Sequence, residues 1–188
     1  MDRELVERAR AGDHDAFSEL ARQSIRRLFV VARLILRDDG LAEDAAQETL
    51  VAAWTHIAAL RDPDRFEAWL HRLLVNACYR EARRDRRRGT IEVQLDPLPM
   101  PEASVGIPFD VDLAHRDQLE RGFRRLDPDQ RAVLVLHYYL GYSLDGAGEV
   151  LGIPPGTVRS RLHRATALMR TALEADARSS LVNEGRPA

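Results

Sequence analysis

Apolar residues recur at helical spacing along most of this chain. Leu5, Val6 and Ala9 predict a short helix over residues 2–11, and Asp13 opens a second. Phe17, Leu20, Ile25, Leu28, Phe29, Val31, Ala32 and Ile35 give that helix a wide buried stripe, up to Arg37-Asp38-Asp39-Gly40. A third helix is expected from about Leu41 to Leu60. It buries Leu50, Trp54 and Ile57 and carries Glu43, Asp44, Gln47 and Glu48 on another side. Asp62-Pro63 pairs a capping residue with proline at the first helical position. A fourth helix therefore runs from Pro63 towards Arg88, with Phe66, Trp69, Leu70, Leu73, Leu74, Ala77 and Cys78 facing inward. Four such helices suffice for a bundle of roughly 85 residues.

The pattern then breaks. Gly89 to Leu113 holds four prolines, five acids and no basic residue. It has no sustained helical period and reads as an extended linker. Its 25 residues can reach at most about 80 Å. Helicity returns from Ala114, with Leu119 and Phe123 in one helix that ends near Leu126. Asp127-Pro128-Asp129-Gln130 resembles a capping box. Val133, Leu134, Val135, Leu136, Tyr138 and Leu140 make the next helix strongly apolar until Gly141. The expectation is an all-α chain of two separate helical units: residues 1–88, a linker over 89–113, residues 114–176, and a frayed tail over 177–188.

Within the second unit, Ser143 to Arg170 has the layout of a helix-turn-helix. A short helix ends at Gly152, Ile153-Pro154-Pro155 make the turn, and a longer helix starts near Gly156. Val158, Leu162, Ala165 and Met169 form its apolar stripe, and Arg159, Ser160, Arg161, His163 and Arg164 lie off it. Between Val150 and Leu173 there is no acid. The second helix of such a motif enters the DNA major groove and contacts bases with its N-terminal residues. Arginine suits that task because its planar fork matches guanine edges and phosphates. An ordinary helical hairpin with a solvated basic face would share the pattern. Gly146 and Gly148 each cost the first helix roughly 1 kcal/mol relative to alanine, so this unit is expected to pack loosely until it meets a partner.

Composition removes most other readings. All 28 basic residues are arginine and the net charge is −2, so any nucleic-acid argument must rest on charge distribution. One cysteine, Cys78, allows neither an internal disulfide nor a cysteine-based zinc site. The N-terminal residues lack an apolar signal core and nothing approaches a membrane span, which points to the cytosol. A phosphate loop needs a lysine that is absent, and neither H-E-x-x-H nor G-x-S-x-G occurs. No cofactor, metal site or enzymatic activity is expected.

The basic charge has a second focus. Arg80, Arg83, Arg84, Arg86, Arg87 and Arg88 place six arginines in nine residues at the end of the fourth helix. That exceeds what the helix dipole needs. Upstream, Arg72, Asn76 and Arg80 are spaced by four and share one stripe. Asparagine can hold an unstacked base and arginine can stack on it or bind phosphate.

These stretches together resemble a known family. A-E-D-A-A-Q-E-T-L-V-A-A-W (42–54) looks like the helix by which bacterial sigma factors grip the clamp of RNA polymerase. R-F-E-A-W-L-H-R-L-L-V-N-A-C-Y-R (65–80) is similar to the helix that opens and reads the −10 promoter element. L-D-P-D-Q-R-A-V-L-V-L-H-Y-Y-L-G-Y-S-L (126–144) with G-I-P-P-G-T-V-R-S-R-L-H-R-A (152–165) looks like the −35-binding domain. The order, and the lack of an inhibitory N-terminal segment or separate middle domain, resembles the extracytoplasmic-function (ECF) class. The resemblance implies a promoter-specificity subunit that binds core polymerase through its β and β′ subunits, and promoter DNA. It places Asp44, Gln47 and Glu48 against polymerase, with Trp54 as anchor. It places Arg61, Arg72, Asn76, Tyr79, Arg80, Arg83 and Arg84 at −10, with the loop from Arg61 to Phe66 completing the pocket. Thr157, Arg159, Ser160, Arg161, His163 and Arg164 fall at −35. An anti-sigma factor is a common partner in the family, though no residue here identifies one. Ala45 stands where a leucine is usual, and Ala147-Gly148 where Ile-Ala is common. From the residues alone, a helix-turn-helix regulator acting without polymerase and a polymerase-binding adaptor remain open.

Overall fold

The structure, a computed structural model, describes residues 2–89 and 113–184; the expected linker, apart from its end residues, lies outside them. Among the described residues the regular structure is entirely helical. The first unit comprises α1 (Arg3–Arg10), α2 (His14–Leu36), α3 (Asp39–His56) and α4 (Phe66–Gly89). The second comprises α5 (Leu113–Arg124), α6 (Pro128–Leu134), a π turn over Val135–Tyr139, α7 (Leu144–Leu151) and α8 (Pro155–Glu184).

Short polar side chains start these helices by satisfying otherwise orphaned N–H groups. The Asp13 carboxylate accepts from the backbone of Asp15 and Ala16, Asp38 from Leu41 and Ser143 from Gly146. Asp127 and Gln130 form the expected reciprocal capping box. Single-turn 3₁₀ segments at Ile57–Ala59 and Pro63–Arg65 bridge α3 to α4. Residues 177–184, expected to fray, continue α8 to Glu184; the first helix breakers are Gly185 and Pro187.

The third helix turns a different face inward than its large residues predict. Ala42, Ala45, Ala46, Thr49 and Ala53 are its buried positions, while Trp54 is 36% exposed and Leu50 only half-buried. The reason is steric: an alanine face lets α2 and α4 approach α3 closely, and the bulky residues go to the flanks. Ala45, which stands where a leucine is usual, is fully buried on that face. Trp54 packs its ring on His14 and Phe17 at 4.6 and 4.9 Å.

The second unit is not loose. Gly148 is buried, and a Cβ there would lie 2.8 Å from the Ile153 carbonyl oxygen, so glycine is what allows α7 to close against its own turn. Gly152 ends α7 in the left-handed region at φ 68°.

The two units do not stand apart. One apolar cluster runs from Val6 and Leu20 through Ile35, Leu70 and Leu74 to Val133, Leu136, Val150 and Val158. Helices α6 and α7 pack on α2 and α4. The expectation of two helical units stands, but that of two separate heads is corrected. The apolar run at 133–136 supplies buried residues to both α8 and the first unit, which spacing alone does not reveal.

Candidate nucleic-acid interface

Helix α4 and the start of α8 carry the residues singled out above. On α4, Arg72, Asn76, Arg80, Arg83 and Arg84 are exposed, and Tyr79 is half-buried. The fourfold spacing keeps Arg72, Asn76 and Arg80 on one face, as expected. Two of the arginines are already paired within the fold. Arg80 reaches Glu48 at 3.0 Å, and Arg84 pairs with Glu81, an acid only 5% exposed. Glu48, expected to face polymerase, thus joins α3 to the basic face of α4; Asp44 and Gln47 are exposed beside it. Arg61 is exposed in the loop before α4.

On α8 the apolar stripe is buried as expected: Val158 and Ala165 are fully inside and Leu162 partly so. Arg159, Ser160, His163 and Arg164 are exposed, and Thr157 is half-buried. Ser160 Oγ donates to the Thr157 carbonyl at 3.0 Å, which ties it to its own first turn. Arg161 differs from its neighbours. Its side chain is 30% exposed and its Nη1 lies 3.5 Å from Asp129 on α6.

Arg161 and Asp129 meet α4 at Tyr79. The Tyr79 hydroxyl is buried beside the Asp129 carboxylate. Burial raises its pKa, the Asp129 charge raises it further, and the Arg161 charge opposes them. A residue expected at −10 and one expected at −35 are therefore electrostatic neighbours. The same seam runs along α4. His71 Nδ1 and the Tyr142 hydroxyl share a hydrogen bond of 2.8 Å, Arg65 pairs with Glu149, and a Cβ at Gly152 would lie 4.0 Å from the Arg72 guanidinium.

Further along, Arg131 Nη1 donates to the Ile35 carbonyl at 2.6 Å while its Nε donates to the Leu126 carbonyl at 3.0 Å. Burial, then the nearby Arg37 charge, lowers its pKa to about 10. Arg37, in the left-handed region at φ 64°, pairs with Glu120 at 2.7 Å. Sequence reasoning missed His71, Glu81, Arg131 and Tyr142. For His71 the available signal was a polar residue inside an otherwise apolar helical run; Glu81, Arg131 and Tyr142 gave no such signal. Cys78 is fully buried and desolvation pushes its thiol up to about 12, so it belongs to the core. Among the described residues no helix is long and apolar enough to cross a membrane, and no cluster of metal-ligating side chains occurs.

Two family models match this chain: Sigma-70 region 2 over residues 20–88 and Sigma-70 region 4 over residues 116–169. The ECF RNA polymerase sigma factor SigM of Mycobacterium tuberculosis is 33% identical over 166 residues, covering 88% of this chain and 81% of that protein. Among solved structures, the sigma factor RpoE of Bartonella quintana, in complex with the anti-sigma factor NepR, superposes with a TM-score of 0.67 at 25% identity, covering 85% of this chain and 98% of that one. CnrH, in complex with the cytosolic domain of CnrY, gives 0.64 at 29% identity over 93% of this chain and 98% of that one. The first match falls on α2 to α4 and the second on the helices around the helix-turn-helix, so the chain belongs to the ECF sigma factors of bacterial RNA polymerase.

Proposed function

We propose that this promoter-specificity subunit reads the −10 element with α4 and the −35 element with α8, and assists melting between them. The observation that carries the reading is the pair of exposed, one-sided polar faces: Arg72, Asn76 and Arg80 on α4, and Arg159, Ser160, His163 and Arg164 on α8. The α4 face combines an amide with arginines and continues into Arg83 and Arg84, which suits a splayed strand and its backbone. The α8 face presents arginines from the first turns of a helix-turn-helix, which suits a duplex major groove. Unstacking costs a few kcal/mol per step, and a base pocket with a basic ridge offsets it. Residues 1–88 form the polymerase- and −10-binding domain, 89–113 the linker, 114–176 the −35 domain and 177–188 the tail. Asp44, Gln47 and Glu48, with Trp54 and the exposed Val51, face the polymerase clamp. The chain acts in the cytoplasm as a non-catalytic initiation subunit.

An anti-sigma factor is a fitting partner, since both structural neighbours were solved with a bound polypeptide and one of these is named as such. Its seat on this chain is the cleft of about 1130 Å³ at the seam, with Leu34, Leu36, Phe123, Tyr138 and Met169 among its apolar lining and Arg37, Arg124 and Arg170 among its charges. The lining also holds Asp38, Glu120 and Glu174, so the cleft carries charge of both signs around an apolar floor.

The test mixes the purified chain with core polymerase and a forked promoter. Transcription only with both present supports the reading. Duplex binding by a dimer without polymerase would favour a repressor or activator instead. Polymerase binding without promoter selectivity would favour an adaptor.

A further inference from the structure

The cleft lined by α2, α5, α6 and α8 has a volume of about 1130 Å³. Small-molecule sites typically take about 300–1,000 Å³, so it is large enough to be one. Leu34, Leu36, Leu119, Phe123, Met169 and Leu173 form its floor. None of these side chains donates a hydrogen bond, and only the Met169 thioether accepts one, weakly. The floor therefore suits hydrocarbon. Part of the wall is the π turn over Val135–Tyr139, a conformation that helices adopt mostly at functional sites. Tyr138 on that turn is a large side chain left 63% exposed beside the cleft.

Charge in the lining is unequal. Five arginines stand against three acids. Of the acids, Asp38 caps α3, Glu120 pairs with Arg37, and Glu174 also has a partner. Of the arginines, Arg33 pairs with Asp39, and Arg131 donates to two backbone carbonyls but to no carboxylate. Arg124 and Arg170 are exposed and make no ion pair among the described residues. We infer that this cleft binds a long-chain carboxylate, its hydrocarbon tail on the apolar floor and its head group on Arg124 and Arg170. A carboxylate matches the guanidinium fork, and every methylene taken out of water adds affinity. A nucleotide fits less well, because the floor would leave the polar edges of its base without partners. The inference does not depend on the roles given to α4 and α8. It does bear on the anti-sigma seat proposed above: amphiphile and polypeptide cannot share the cleft, so each displaces the other by mass action.

The test follows the fluorescence of dansyl-undecanoate in the full chain. The probe is displaced by decanoate, dodecanoate and tetradecanoate, each below its micelle concentration. The inference expects saturation at a single probe per chain, and a Kd that falls about fourfold per added methylene until the cleft is filled. Dodecanol should bind about tenfold more weakly than dodecanoate. Arg124→Gln with Arg170→Gln should remove that preference for the acid; both positions are exposed, so the variant should fold. Arg22→Gln with Arg26→Gln, exposed on α2 and outside the cleft lining, should keep it. Three results overturn the inference. One is uptake without saturation, the mark of detergent-like adsorption. Another is an affinity indifferent to chain length. The third is an unchanged acid preference in the Arg124 and Arg170 variant. None of them touches the promoter-reading assignment, which transcription with core polymerase tests separately.

Discussion

His71 on α4 and Tyr142, just before α7, lie 71 residues apart in the chain and close a hydrogen bond of 2.8 Å across the seam between the two units. His71 is only 4% exposed. Its pKa falls from the ordinary 6.5 to about 4, first through desolvation, then through the charge of Arg27, with Glu67 opposing. The neutral ring is the form that fits. Between these two pKa values the unfolded chain binds a proton that the folded chain refuses. Stability contributed by neutral His71 is therefore full above about pH 6.5 and drains away as pH falls towards 4, by about 3 kcal/mol in total. Urea melts at pH 7 and pH 5 should show the loss, and His71→Gln should flatten it. An unchanged slope in that variant would assign the acid sensitivity elsewhere.

Tyr142→Phe removes the hydroxyl and leaves the buried imidazole nitrogen unpaired. The expected cost is about 1–3 kcal/mol.

Gly148→Ala tests the packing of α7. Helix propensity alone predicts a gain of roughly 1 kcal/mol. The Cβ would sit 2.8 Å from the Ile153 carbonyl, so backbone must move. We expect a net loss of about 1–3 kcal/mol, visible as a lower thermal midpoint. A stabilised variant would mean that the turn yields easily.

Arg161→Ala should weaken −35 recognition by roughly 1–3 kcal/mol, measured on duplexes with and without the element in the presence of core polymerase. Unchanged transcription from a −35-dependent promoter would remove Arg161 from the reading set. Its pairing with half-exposed Asp129 is a surface contact worth under about 1 kcal/mol, so stability should barely change.

Asn76→Ala should lower discrimination at −10 while polymerase binding persists. The side chain is exposed and has no role in the core, so a folded variant is expected. Loss of both activities together would make Asn76 structural.

Much of this protein is written locally. Asp13, Asp127, Pro128 and Gly152 start or stop helices through interactions within a few residues, so the helix order was legible from spacing and caps. The α8 stripe of Val158, Leu162 and Ala165, and the exposed arginines beside it, follow from the same periodicity, as does the shared face of Arg72, Asn76 and Arg80. Family membership was legible in three motifs in order. Tertiary structure alone decided the rest. It turned the alanine face of α3 inward and left Trp54 half out, because interhelical distance, not side-chain hydrophobicity, chose the closest contact. It recruited His71, Arg131 and Tyr142 to a seam between distant segments. It also joined two units that local pattern describes as self-sufficient, since an apolar helix records that it must be covered but not what covers it.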